Sequence, residues 1–139
     1  MKLGFIKGRE RRKDRSGLPV EALKKLFRNL AQQGGFKAVM MATGNGLISV
    51  NIDSGLEAEQ LAEISRIVWQ FNKSVAEMEP IRSLRRMILT EGTSGEALVC
   101  VSFRVKTRLI SLIVMTGIEV PDPEFMEKAV QGIERILSE

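Results

Sequence analysis

The sequence contains no histidine, the side chain most often used as a general base, proton shuttle or metal ligand. A serine or cysteine nucleophile activated by histidine is therefore excluded. The one cysteine, Cys100, cannot form a structural zinc site, and its apolar neighbours are typical of a buried thiol in a reducing compartment. We predict that the chain is not an enzyme and binds neither a metal ion nor a cofactor. Carboxylate or lysine catalysis is the alternative, and no motif favours it.

Long apolar segments are also absent. No run is long enough to span a bilayer, and Met1–Arg15 lacks the apolar core of a signal peptide. Glycine and proline are not enriched, and a length of 139 residues is close to that of a common domain. We therefore expect a soluble, cytoplasmic protein with one domain, residues 18–139, preceded by a basic and flexible tail, residues 1–17.

Positive charge is concentrated in this tail. Residues 1–16 contain seven basic and two acidic residues, a net charge of +5, so the rest of the chain carries −1. Such an arm suits an acidic partner, nucleic acid or an anionic membrane surface. A solvated tail is the preferred interpretation, because stacking aromatics are not interleaved and we expect no matching basic face on the domain. The tail residues for an anionic partner are Lys7, Arg9, Arg11, Arg12, Lys13 and Arg15.

Apolar spacing and turn residues predict the element order α-β-β-α-β-β-β-α. Pro19 precedes a helix that ends at Gly34-Gly35, and Gly44-Asn45-Gly46 marks a tight hairpin. A long helix over residues 57–78 follows, and Pro123 begins the last helix. The predicted strands are 36–43, 47–53, 83–91, 96–106 and 108–116. This order predicts an α+β fold, an α/β sandwich in which helices cover a five-stranded antiparallel sheet.

The long helix has an apolar arc about twice as wide as contact with one core requires. We expect one stripe to cover the domain's own sheet: Leu61, Ile64, Val68, Phe71, Val75 and Met78. We expect a second stripe to contact another protein: Ala58, Ala62, Ser65, Trp69, Asn72 and Ala76. In that stripe Trp69 would be the aromatic anchor, with an ordinary core position as its alternative. The helix therefore predicts an interaction module.

The third strand is the other interface candidate. Apolar and basic residues alternate there so that neither face is cleanly polar, and Arg85, Met87 and Leu89 share one set of positions. At a sheet edge, the unpaired backbone groups of this strand would pair with another chain. An edge strand protected by its charges is the alternative.

Together these features resemble the roadblock/LC7 family, including its bacterial gliding-motility type. The resemblance covers about residues 20–137. The residues that carry it are Gly34-Gly35, Phe36–Thr43, Gly44–Gly46, the acidic helix start Glu57–Ala62, the meander and the helix from Pro123. It implies a profilin/longin-like roadblock fold and a homodimer in which the long helices pack antiparallel and the third strands pair. A heterodimer with a paralogue stays open.

The resemblance also implies a function. It indicates a non-enzymatic regulator or scaffold that binds a Ras-like small GTPase or a multiprotein complex. The alternative is an adaptor whose basic tail binds nucleic acid or an anionic membrane. The residues expected in the dimer interface are Ala58, Ala62, Ser65, Trp69, Asn72, Ala76, Arg85, Met87 and Leu89.

Overall fold

The computed structural model describes residues 18–78, 85–90, 96–117 and 119–138. Its elements are α1 (Val20–Gly34), β1 (Ala38–Thr43), β2 (Gly46–Asn51), α2 (Ala58–Ala76), β3 (Arg86–Thr90), β4 (Ala97–Val105), β5 (Arg108–Thr116) and α3 (Pro123–Leu137). The predicted order of helices and strands is confirmed. The basic tail and the outer ends of the predicted third strand lie outside the described residues, and the tail's role stays a prediction.

The five strands form one sheet in the order β2-β1-β5-β4-β3, and every neighbouring pair is antiparallel. The sheet joins the β1–β2 hairpin to the β3–β4–β5 meander through the pairing of β1 with β5. Helix α2 is the crossover between these two parts. The predicted fold class is therefore confirmed, and β3 lies at one edge of the sheet.

Alternate side chains of the strands divide the core between two faces. On one face, α1 and α3 cover a large apolar cluster that includes Val39, Met41 and Leu112. On the other face, α2 covers a smaller cluster built around Met40, Leu61 and Ile113. Helix α2 packs mainly on β1, β2 and β5 and leaves much of β3 and β4 uncovered on this face.

Local chemistry explains where the elements begin and end. Gly35 has a φ of 67°, the left-handed conformation that ends α1 as the sequence predicts. Strand β2 ends at Asn51, two residues earlier than predicted, because the Asn51 side chain accepts hydrogen bonds from the Ser54 amide and hydroxyl. A reciprocal hydrogen-bond pair between Glu57 and Gln60 begins α2. Within the described residues, no helix combines the length and apolarity needed to cross a bilayer.

The connection between β4 and β5 is unusual at one residue. Lys106 has a φ of 59°, in the left-handed region that favours glycine. A side chain in this conformation costs about 1 kcal/mol. The β4–β5 turn therefore carries a lysine where glycine would give a more stable fold.

We expect Lys106→Gly to raise the free energy of unfolding by about 1 kcal/mol, because glycine removes this conformational cost. Urea unfolding followed by circular dichroism measures the change. Thr107→Gly is the control, since Thr107 lies in the same turn without a positive φ. It should lower stability by roughly 0.5–1 kcal/mol. A Lys106→Gly variant less stable than the parent would contradict this account of the turn.

Candidate interaction surface

The sheet-facing side of α2 is partly polar. Its buried residues are Leu61, Ser65, Val68 and Asn72. The Asn72 amide donates to Ser111 Oγ at 2.8 Å and lies 3.3 Å from Cys100 Sγ, while Ser65 Oγ donates to the Leu61 carbonyl at 2.8 Å. The prediction that Ser65 and Asn72 face a partner is therefore wrong. Both pack within their own domain: Asn72 has a hydrogen-bond acceptor beneath the helix, and Ser65 has one in the preceding turn of the helix.

Trp69 also packs against its own domain. Its indole N–H donates to the Leu109 carbonyl at 3.1 Å, and its ring lies beside Gly44 at the β1–β2 turn. The Lys73 ammonium lies 5.7 Å from the ring centroid. These contacts agree with the core alternative for Trp69. Its neighbours Ala62 and Ala76 are half-buried, and Ala58 is exposed in the first turn of α2.

The exposed apolar residues of α2 lie on the other flank of the helix. Ile67 is 58% exposed, Phe71 is 49% exposed, and Met78, just after the helix, is 51% exposed. Partly buried Ile64 and Val75 lie between them and the sheet. We call these five residues the outer apolar stripe. Phe71 and Met78 were expected to cover the domain's own sheet, and that assignment is corrected.

Strand β3 extends the exposed apolar surface along the sheet edge. Among the described strands, β3 pairs only with β4, so its other edge keeps unpaired backbone groups. Leu89 is 49% exposed, and Ile88, which is 44% exposed, lies on the other face of the sheet opposite Val99. The register places Met87 and Leu89 on the α2 face, opposite Cys100 and Leu98. This edge has the properties that permit strand addition.

The predicted basic residue of this region lies beside the strand. Arg85 immediately precedes β3 and lies 3.4 Å from the Glu127 carboxylate of α3. The next residue, Arg86, donates to the Pro121 carbonyl at 3.0 Å. These two side chains attach the start of β3 to α3 and to the loop before it.

A shallow cleft connects β3 with the rest of the α2 face. It has a volume of about 280 Å³ and is lined by Leu89, Leu98 and Met115, with Thr90, Glu96 and Ala97 at its sides. Leu98 and Met115 are partly buried and pack on the same cluster as Ile64 of α2. The outer apolar stripe, the cleft and β3 therefore lie around one uncovered part of the sheet, which we call the apolar surface.

Cys100 lies beneath the edge of this surface. Burial raises the pKa of its thiol to about 11, although hydrogen bonds with Asn72 and Ser111 act in the opposite direction. In the described ranges, no three residues of the metal-ligating types come together. The thiol therefore has the environment of a packed core residue.

We expect native Cys100 to react with a thiol reagent at pH 8 at least 100 times more slowly than in the urea-unfolded chain. With a pKa of about 11, roughly one thiol in a thousand is ionised at this pH, and burial limits access further. Absorbance after mixing with a disulfide reagent measures both rates. The native rate should rise as pH approaches 11. Equal rates in the native and unfolded chain would contradict the buried placement of this thiol.

Comparison with solved structures identifies the fold. Myxococcus xanthus MglB is 14% identical, covers 86% of each chain and superposes with a TM-score of 0.61. The gliding protein MglB from Thermus thermophilus is 12% identical over 88% of this chain and 93% of that chain, with a TM-score of 0.65. This chain has the MglB fold. A further MglB structure, with a tetrameric arrangement, is 12% identical over 88% and 92% of the two chains, with a TM-score of 0.63.

The MglB comparison rests on structure. No protein-family model matches the sequence, and no curated protein matches it. The resemblance to the gliding-motility type is confirmed in the fold, since the MglB structures match over most of the chain at 12–14% identity. At this identity the side chains on the surface differ widely, so the apolar surface of this chain has to be interpreted from its own residues.

Proposed function

We propose that this chain is a homodimeric, non-enzymatic regulator or scaffold that binds a Ras-like small GTPase in the cytoplasm. The MglB fold and the resemblance to the roadblock/LC7 family support this function. The observation that carries the proposal is the apolar surface, which joins an exposed helix flank to an unpaired sheet edge. A second copy of the chain can cover both at once.

In the proposed dimer, β3 pairs antiparallel with β3 of a second copy, and the sheets become continuous. The outer apolar stripe then packs against the same stripe of the other α2. Because a two-fold axis repeats each contact, every buried side chain contributes twice. Complete burial of a Phe or Ile side chain contributes about 1.5–3 kcal/mol. Met87 and Leu89 are retained from the predicted interface, whereas Ile67, Phe71 and Met78 replace Ser65, Trp69 and Asn72.

Regulation in this proposal acts through binding alone. The dimer would bind the GTP-loaded partner and stabilise its hydrolysing conformation, without supplying a catalytic group. A binding protein shifts a conformational equilibrium only by its difference in affinity for the two states. A preference of tenfold or more for the GTP-bound form is therefore the expected signature.

The experiment measures the preference of binding for the GTP form and the effect on GTP hydrolysis. Ras-like GTPases of the source organism are purified, loaded with GTP or GDP, and mixed with the chain. Single-turnover phosphate release and binding by interferometry are recorded. We expect one GTPase to bind its GTP form at least tenfold more tightly than its GDP form, with a change in the hydrolysis rate. No nucleotide-dependent binding by any of these GTPases would contradict the proposed partner class.

A further inference from the structure

Three basic side chains lie near one another at one end of the sheet. Arg104 lies on β4 opposite Leu109 of β5, Lys106 lies in the β4–β5 turn, and Lys73 lies on α2. The hydrogen bond from Trp69 to Leu109 brings the last turns of α2 to this end, and Lys73 lies over the Trp69 ring. We call Lys73, Arg104 and Lys106 the hairpin cluster.

The charges of the hairpin cluster are not compensated in the structure. Lys37, Arg66 and Arg85 pair with Glu96, Glu63 and Glu127 respectively. Within the described part of the chain, no member of the hairpin cluster forms an ion pair. Arg104 instead donates to the Thr107 carbonyl at 3.3 Å. Residues 17–139 carry a net charge of −1, so this positive region is local.

The backbone conformation of Lys106 is a second observation that indicates a functional site here. Its φ of 59° is a conformation that glycine adopts without strain, yet the position carries a long cationic side chain. Strained residues concentrate at functional sites, where the side chain is needed despite its cost. The strain at Lys106 and the uncompensated charges therefore indicate the same place in the fold.

We propose that the hairpin cluster binds an acidic surface on a partner protein. Membrane binding combines cations with apolar side chains that enter the lipid boundary, but the tip of this hairpin is Lys106-Thr107. Nucleic acid binding typically uses an extended basic surface, whereas the domain around this cluster is near neutral. A compact positive patch beside a half-buried tryptophan fits a protein surface of limited size. The proposal is independent of the homodimer and of the GTPase.

The test uses poly-L-glutamate as the acidic probe and the full chain as the receptor. Trp69 is the only tryptophan, and its contact with Lys73 makes its emission a reporter of this end of the sheet. We expect a saturable change in Trp69 fluorescence that weakens as salt is raised. Arg104→Glu with Lys106→Glu should weaken binding at least tenfold. The control, Lys25→Glu with Arg28→Glu on exposed positions of α1, makes the same change in net charge and should weaken it less than twofold.

Lys106→Gly separates binding from folding. This variant is expected to be more stable than the parent and still to bind poly-L-glutamate about threefold more weakly. Unchanged affinity, or equal losses in the α1 control and the hairpin variant, would overturn the proposal. Vesicles containing phosphatidylserine and a 20-base-pair DNA duplex are titrated in parallel. A change in Trp69 emission at lower concentrations of either, relative to poly-L-glutamate, would also overturn it.

Discussion

Replacing Phe71 by glutamate is expected to convert a dimer of this chain into a folded monomer. Phe71 is half-exposed in one copy and lies within the outer apolar stripe that the proposed dimer buries. Two carboxylates would then be desolvated near the two-fold axis, without cations in the stripe to pair with them. A loss of about 3 kcal/mol corresponds to a dissociation constant more than 100-fold higher.

Sedimentation velocity at micromolar concentration measures this change. Gln70→Glu is the matched control, because the neighbouring residue is exposed and lies about 100° away around the helix. The control should keep the mass of the parent, and both variants should keep the parent's circular dichroism spectrum. A Phe71→Glu variant that sediments as the parent dimer would remove the outer apolar stripe from the interface. Trp69→Glu is a poorer probe, since Trp69 packs against its own sheet and its loss would weaken the fold itself.

The second large effect is expected at Asn72, where aspartate should lower the free energy of unfolding by about 3–5 kcal/mol at pH 7. The Asn72 amide donates to Ser111 Oγ beneath α2. A carboxylate in the same place has no hydrogen to donate and is removed from water. Burial disfavours its charged form, so its pKa in the folded chain is expected to lie above that in the unfolded chain.

The raised pKa of the introduced aspartate determines how the destabilisation depends on pH. The destabilisation should be smallest below pH 4, where the unfolded aspartate is protonated, and should grow as pH rises through the raised pKa of the folded chain. Urea unfolding at several pH values measures it. Ser74→Asp, at an exposed position of the same helix, is the control and should change stability by less than about 0.5 kcal/mol. Equal stability of Asn72→Asp and the parent would contradict the buried position of this amide.

The fold was accessible from the sequence because its signals are local. Gly35 ends α1 and Pro123 begins α3 through a conformational preference of the residue itself. The Gly44-Asn45 turn joins β1 to β2, and the amides of Asn45 and Gly46 donate to Thr43 Oγ1. The predicted ends of elements differ from the observed ones where a side chain forms hydrogen bonds with a residue two or three positions away. Asn51 ended β2 early through hydrogen bonds with Ser54, which alternating hydrophobicity does not report.

Which side of α2 faces the sheet could not be predicted from local signals in this way. Periodicity correctly predicted an apolar arc that is wider than one core contact, but it favoured the more hydrophobic stripe as the buried one. In the structure the buried side is centred between the two stripes, because Ser111 and Cys100 accept the polar contact from Asn72. Cys100 and Ser111 lie 28 and 39 residues from Asn72 in the sequence. Only tertiary structure shows that Asn72 is hydrogen-bonded in the core, whereas Ser65 donates to the Leu61 carbonyl within the helix itself.

The hairpin cluster was missed for a related reason. Lys73 is separated from Arg104 by more than 30 residues, so no charge run marks the site in the sequence. The basic tail dominated the charge pattern, and the domain was expected to have no basic face. The antiparallel pairing of β4 with β5 and the contact of Trp69 with Leu109 bring these cations together.

The most direct test is the solution mass of the purified full chain, measured by light scattering from low micromolar to high micromolar concentration. The central claim is that the apolar surface, from the outer stripe of α2 to the edge of β3, is covered by a second copy. A mass of two chains, reduced to one chain by Phe71→Glu and not by Gln70→Glu, is the predicted result. A mass of one chain over the whole range, or a dimer unaffected by Phe71→Glu, would contradict it.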